Sequence, residues 1–116
     1  MDGELLGSWF PADVSNDWKE IVWNIPMEKV ALLKGIRFQC THSAIKLEIA
    51  EVILEMDGVE VCKGIWHGTV GRENISNTYM LDIPKDATGN NSCHLRVRVK
   101  SDNPSESYGK VMMIME

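Results

Sequence analysis

The sequence predicts an all-β chain: a single antiparallel β-sandwich of the jelly-roll kind, with about eight strands. Three observations carry that expectation. Glycine and asparagine punctuate the chain every eight to fifteen residues, the runs between them alternate apolar and polar residues, and helix signals are nearly absent. At 116 residues the chain fits one domain, 1–116. A globular chain of that size buries roughly 65% of its extended surface, enough for a core without metal or disulfide staples.

The elements follow in order. Leu5 to Phe10 opens as a strand, and Asp17 to Ile25 reads as a second, with Ile21, Trp23 and Ile25 on one side and Pro26 ending it, because proline has no N–H for the ladder. Val30 to Leu33 is a turn or a short helical piece. Ile36, Phe38 and Cys40 alternate cleanly with Arg37, Gln39 and Thr41. In AIKLEIAEVILEMDG, Ile45, Leu47 and Ile49 point one way while Val52, Leu54 and Met56 hold the opposite parity, so the strand must slip phase near Ala50 and Glu51 by a β-bulge. A helix is the alternative there, since Ile45, Ile49, Val52, Ile53 and Met56 also match helical spacing. Asp57-Gly58 favours the hairpin, because both residues tolerate the positive φ of a type I′ turn. Ile65 to Tyr79 reads as a long loop closed by glycine turns and re-entering a sheet at Asn77-Thr78-Tyr79. Tyr79, Leu81 and Ile83, and then Leu95, Val97 and Val99, mark two half-buried strands. KVMMIME is apolar on both faces, which suits the middle of a sheet or a position under a neighbouring domain.

Charge and cysteine usage exclude several functions. The net charge of -5 repels phosphate backbones, and the basic residues of HLRVRVK fall at alternate positions, as on the solvated side of a strand, so no nucleic-acid partner is expected. Cys40, Cys62 and Cys93 show no CxxC spacing and read as small buried apolar residues. No run approaches the roughly 20 apolar residues that span a bilayer, and MDGELLGSWF lacks the basic start and apolar core of a signal peptide; no membrane insertion is expected.

Catalytic and metal chemistry find little support. His42, His67 and His94 lack HxxxH or HExxH pairing, and there is no GxSxG. Carboxylates such as Glu48 and Glu51, or Glu55 and Asp57, read as wet strand faces rather than as an acid and nucleophile. The chain is therefore expected not to be an enzyme and to need no cofactor. A structural calcium ion is the alternative to none, but Asp13, Asp17, Asp86 and Asp102 lack the dense DxDxD pattern. GTVG, Gly68 to Gly71, reads as a turn needing positive φ, not as a phosphate cradle.

The tryptophans are the most informative residues left, since flat aromatic faces stack on the C–H faces of pyranose rings while nearby amides and charged groups bond the hydroxyls. Trp23 alternates with Ile21 and Ile25 and reads as core, whereas Trp9, Trp18 and Trp66 sit at strand ends. The candidate ligand-binding residues are Trp66 as the stacking platform, His67, Asn74 and Asn77 beside it, and Trp18 and Tyr108 as further contacts.

Read together, GSWFP, VWNI, GIRFQC, EVILEMDGVEV, GTVG, NTYMLDIP and SYGKV resemble an accessory C-terminal β-sandwich module of secreted bacterial polysaccharide-degrading proteins, including those attached to family 20 glycoside hydrolases (hexosaminidases). Ser8-Trp9, Trp23, Gly35 to Phe38, Val52 to Leu54, Asp57-Gly58, Gly68 to Gly71, Asn77 to Tyr79 and Tyr108-Gly109 carry the resemblance. This sequence departs from the pattern in placing Gly64 where it has aspartate and Trp66 where it has histidine. The resemblance implies a jelly-roll or galactose-binding-like fold, a place in a longer secreted, periplasmic or cell-surface protein, and a carbohydrate (glycan) partner. The rival expectation is a structural or protein-interaction module that packs on a neighbouring domain of the parent protein.

Overall fold

The computed structural model describes residues 3–40, 47–71, 76–84 and 92–116, with residues 65–67 described through their backbone alone. The described strands are β1 (Gly3–Trp9), β2 (Lys19–Asn24), β3 (Leu33–Cys40), β4 (Leu47–Met56), β5 (Val59–Val70), β6 (Ser76–Met80), β7 (Cys93–Lys100) and β8 (Gly109–Met115). One helical turn, α1 (Met27–Val30), and two 3-10 turns, Pro11–Asp13 and Pro104–Glu106, lie between them.

The strands form two four-stranded sheets, ordered β1-β8-β3-β6 and β2-β7-β4-β5. The pairs β1:β8, β2:β7, β3:β6 and β4:β5 are all antiparallel, as when a chain doubles back at the β4–β5 hairpin. The β3:β8 and β4:β7 ladders then close each sheet as that ribbon rolls up. This is the jelly roll expected from the sequence. Its geometry places the ends of β1, β3, β5 and β7 and the starts of β2, β4, β6 and β8 at one end of the sandwich, hereafter the connection end.

Period-two alternation sets the core. Leu95, Val97 and Val99 of β7 face Ile36, Phe38 and Val111 of the other sheet, while His94, Arg96, Arg98 and Lys100 point outward. β4 is a strand throughout its ten residues, so the helical alternative does not hold. Its phase slips at Ala50: Ile49 and Glu51 pair with the consecutive residues Val99 and Arg98, which buries Leu47 and Ile49 before the bulge and Val52, Leu54 and Met56 after it. Asp57 and Gly58 have φ of 52° and 81°, as a type I′ turn requires. The Asp57 carboxylate also accepts hydrogen bonds from the Ser92 N–H and hydroxyl, pinning the hairpin to the start of β7. β8 lies between β1 and β3, in the middle of its sheet, as its two apolar faces suggest.

Several boundaries differ from the expectation, beginning with β1, which ends at Trp9 and not Phe10, and β2, which spans Lys19–Asn24 and not Asp17 to Ile25. The short helical piece is Met27–Val30, and Leu33 already belongs to β3. β6 ends at Met80, so Leu81 and Ile83 lie beyond the strand. Ile65 to Val70 is not a loop: β5 runs unbroken from Val59 through Gly64 and Gly68 to Val70. Among the described glycines only Gly58 has positive φ, so Gly68 is not a turn residue and needs another reason to be glycine.

Candidate functional site

Trp9 with Gly109, and Tyr79 with Gly68, form two aromatic locks within the fold. Trp9 is fully buried, and its indole Nε1 donates to the Ser107 hydroxyl at 3.1 Å. Its ring lies over Gly109, where a Cβ would sit 2.6 Å from Trp9 Cζ2 and would also collide with the Gln39 carbonyl oxygen. Ser8-Trp9 and Ser107-Tyr108-Gly109 are thus one contact. Gly68 provides the second lock. A Cβ there would overlap the Tyr79 hydroxyl and lie 2.6 Å from Asn77 Nδ2, which itself donates to that hydroxyl at 3.3 Å. Tyr79 thereby bridges β6 and β5 across the two sheets, and burial pushes its phenol up to about 12. Phe38 sits among Trp9, Trp23 and Tyr79, with ring centroids 6.4, 6.4 and 5.7 Å away. Trp23 is half-buried against this cluster and donates to the Ser8 carbonyl.

Of the sequence-predicted ligand residues, Asn74 and the side chains of Trp66 and His67 lie outside the described residues. The backbone of Trp66 and His67 forms a bulge: these two residues stand opposite Ala50 alone, between the pairs Glu51–Ile65 and Ile49–Gly68. Asn77 is half-buried, with its amide turned to Tyr79. Trp18 and Tyr108 lie at the connection end but on different sheets.

Tyr108, 37% exposed, precedes Gly109, and Phe10, 60% exposed, follows Trp9; because Trp9 and Gly109 are paired across β1 and β8, the two exposed aromatics flank the last rung of one ladder. Sequence reading missed Phe10. Its backbone is fixed: the N–H donates to the Asp13 carboxylate at 2.8 Å, and its carbonyl accepts from the Asp13 N–H. The two connections beside this pair are tied together as well. The Ser101 N–H donates to the Ser15 carbonyl, Lys19 Nζ reaches the Ala12 carbonyl, and Ser105 and Glu106 bond the Asn103 side chain. The connection end therefore offers exposed aromatic surface beside hydroxyl, amide and carboxylate groups on a hydrogen-bonded frame.

On the outer face of the other sheet, Trp18 is half-buried, with Arg98 Cζ 5.6 Å and Lys100 Nζ 4.8 Å from its ring centroid. Arg96 bridges Glu20 at 2.7 Å and Glu55 at 2.8 Å, which raises its already high pKa, and Lys63 pairs with Glu51. Within the basic stripe of β7, Arg96 is thus neutralised from both sides.

Among the described residues no three of His, Cys, Asp and Glu gather where they could hold a metal ion. Asp86 lies outside them, and the Asp13 carboxylate is engaged with Phe10. No disulfide joins the three cysteines. Burial raises the Cys62 and Cys93 thiols, Cys93 to about 11, which lowers their thiolate content at neutral pH. No described helix is long and apolar enough to cross a membrane. No protein-family model matches the chain, and no curated protein matches it.

Proposed function

We propose that the chain is a non-catalytic, carbohydrate-binding-like accessory module of a secreted or cell-surface bacterial polysaccharide-degrading protein, and that glycan contacts the connection end. The observation that carries this reading is the exposed pair Phe10 and Tyr108, held on a rigid frame beside Asn103, Ser105 and Glu106. Aromatic faces supply the stacking surface for a pyranose ring, and the loop hydroxyl and amide groups supply partners for its hydroxyls. The fold by itself carries no function. Trp66, His67, Asn74, Asn77 and Trp18 remain proposed contacts. The resemblance supports the setting of the module, since its motif residues build the locks that hold this end of the sandwich in shape.

Glycan arrays and affinity electrophoresis test the reading. The wild type is expected to be retained by at least one polysaccharide. Phe10→Ala and Tyr108→Ala are each expected to weaken retention about fivefold, as loss of about 1 kcal/mol of stacking implies. Trp66→Ala tests the platform expected from the sequence. Retention by no glycan, or retention untouched by any of the three substitutions, would sink the assignment.

One observation favours the second reading, a module that packs on a neighbouring domain. The outer face of β1-β8-β3-β6 carries Leu5 and Met80, 56% and 57% exposed, with Met112 between them. From strand spacing and rise, such a face about five residues deep covers roughly 300 Å². That is one side of a small intrachain domain contact, and well below the roughly 800 Å² per partner of a stable free complex.

A further inference from the structure

We propose a second binding site on this module, an anion subsite on the outer face of β2-β7-β4-β5 formed by Arg98 and Lys100 over the Trp18 indole, which takes the carboxylate or sulfate group of an acidic glycan. The proposal rests on the glycan-binding reading above and names the ligand class for a different face.

The register explains why these two cations are available when their neighbours are not. Arg98 stands between Glu20 of β2 and Glu51 of β4, yet those carboxylates pair with Arg96 and Lys63. Lys100 stands opposite Glu48 without an ion pair. Among the described residues no carboxylate lies within salt-bridge distance of either Arg98 or Lys100. Both instead lean on one aromatic ring, which orders two long side chains that would otherwise lose rotamer freedom on meeting a ligand. The guanidinium still has a planar fork of donors for an oxyanion, and the ammonium adds a second point charge.

The surroundings set the kind of anion. Glu48 and Glu51 on β4 and Glu20 on β2 stand in register beside the two cations, and the whole chain carries -5. An extended polyanion such as duplex DNA meets repulsion on either side of the pair. A single uronate or sulfate ester on an otherwise hydroxylated chain needs only the two heads.

The test is affinity electrophoresis of the wild type and an Arg98→Gln/Lys100→Gln variant in gels containing a sparsely substituted glucuronoxylan, a lightly sulfated dextran or a neutral glucan, with duplex DNA as a further arm. The variant's melting temperature is checked first, since both residues lie on the outer face and the fold is expected to survive. The proposal expects retention by the glucuronoxylan or the sulfated dextran at low salt, weakened at least tenfold by the double substitution. The two acidic polymers separate carboxylate from sulfate recognition. Retention by neutral glucan alone overturns the anion subsite and leaves the glycan reading intact. Retention by no glycan overturns both. Equal retention of wild type and variant refutes the residues, and binding to duplex DNA as strong as that to the acidic glycans refutes the ligand class.

Discussion

Replacing Gly68 with alanine tests the cross-sheet lock most sharply. The new Cβ would overlap the Tyr79 hydroxyl, lie 2.6 Å from Asn77 Nδ2 and come within 3.0 Å of Tyr79 Cζ. Ordinary contacts begin near 3.4 Å, so the tyrosine must move and the Asn77–Tyr79 hydrogen bond must break. Overpacking of this kind costs about 1–3 kcal/mol and the lost hydrogen bond about 1 kcal/mol, for a total of roughly 2–4 kcal/mol. Urea unfolding followed by tryptophan fluorescence reads it as a midpoint lowered by roughly 1–3 M at unchanged slope. Tyr79→Phe removes the atom that collides and by itself costs about 1 kcal/mol. In that background the methyl still meets the ring edge and Asn77 Nδ2, but the amide no longer bonds a hydroxyl and can turn aside, so Gly68→Ala is expected to cost about 1 kcal/mol. The cycle therefore expects a coupling of about 2 kcal/mol. Additivity of the two substitutions within about 0.5 kcal/mol would refute the claim that Gly68 is glycine because Tyr79 occupies its Cβ position.

Other outcomes follow from the same contacts. Gly109→Ala is expected to cost more than Gly68→Ala, about 3 kcal/mol or above, with no rescue by Trp9→Phe, because the Gln39 backbone carbonyl blocks the methyl as well; urea unfolding checks both. Ser107→Ala strands the buried Trp9 N–H and is expected to cost about 1–3 kcal/mol in the same assay. Tyr79 has a folded-state pKa raised from 10.0 to about 12 by burial, so its contribution is whole below pH 10 and is lost as pH rises through 12. The stability of Tyr79→Phe is expected to fall less steeply over that window, and an identical slope would count against the buried phenol. Arg96→Met is expected to leave the urea midpoint close to that of the wild type, and closer still in high salt, because the pairs with Glu20 and Glu55 are largely solvated.

Much of the fold was legible because period-two alternation is a direct consequence of a half-buried sheet. The parity break between Ile49 and Val52 announced the bulge at Ala50, Asp57-Gly58 announced the hairpin, and the two apolar faces of Val111 to Met115 announced a central strand. β5 was obscured because Gly64 and Gly68 look like turn signals. The reason for Gly68 is the Tyr79 hydroxyl arriving from the other sheet, which no local window contains. Phe10 was missed for a related reason. The β1 register slips between Leu5 and Gly7, two adjacent leucines hide that slip, and the slip decides that Trp9 turns inward while Phe10 is left exposed. Tyr108 and Trp18 were visible as aromatics beside turns. That they occupy opposite sheets depends on the roll of the whole chain, as does the commitment of Asn77 to Tyr79.

Amide NMR of the labelled protein, titrated with oligosaccharides that the arrays retain, tests the central claim most directly. The account predicts shift changes centred on Phe10, Asn103, Ser105 and Tyr108, with Leu5, Arg37, Met80 and Met112 unmoved. Changes centred on those last four residues, or no change with any glycan, would contradict it.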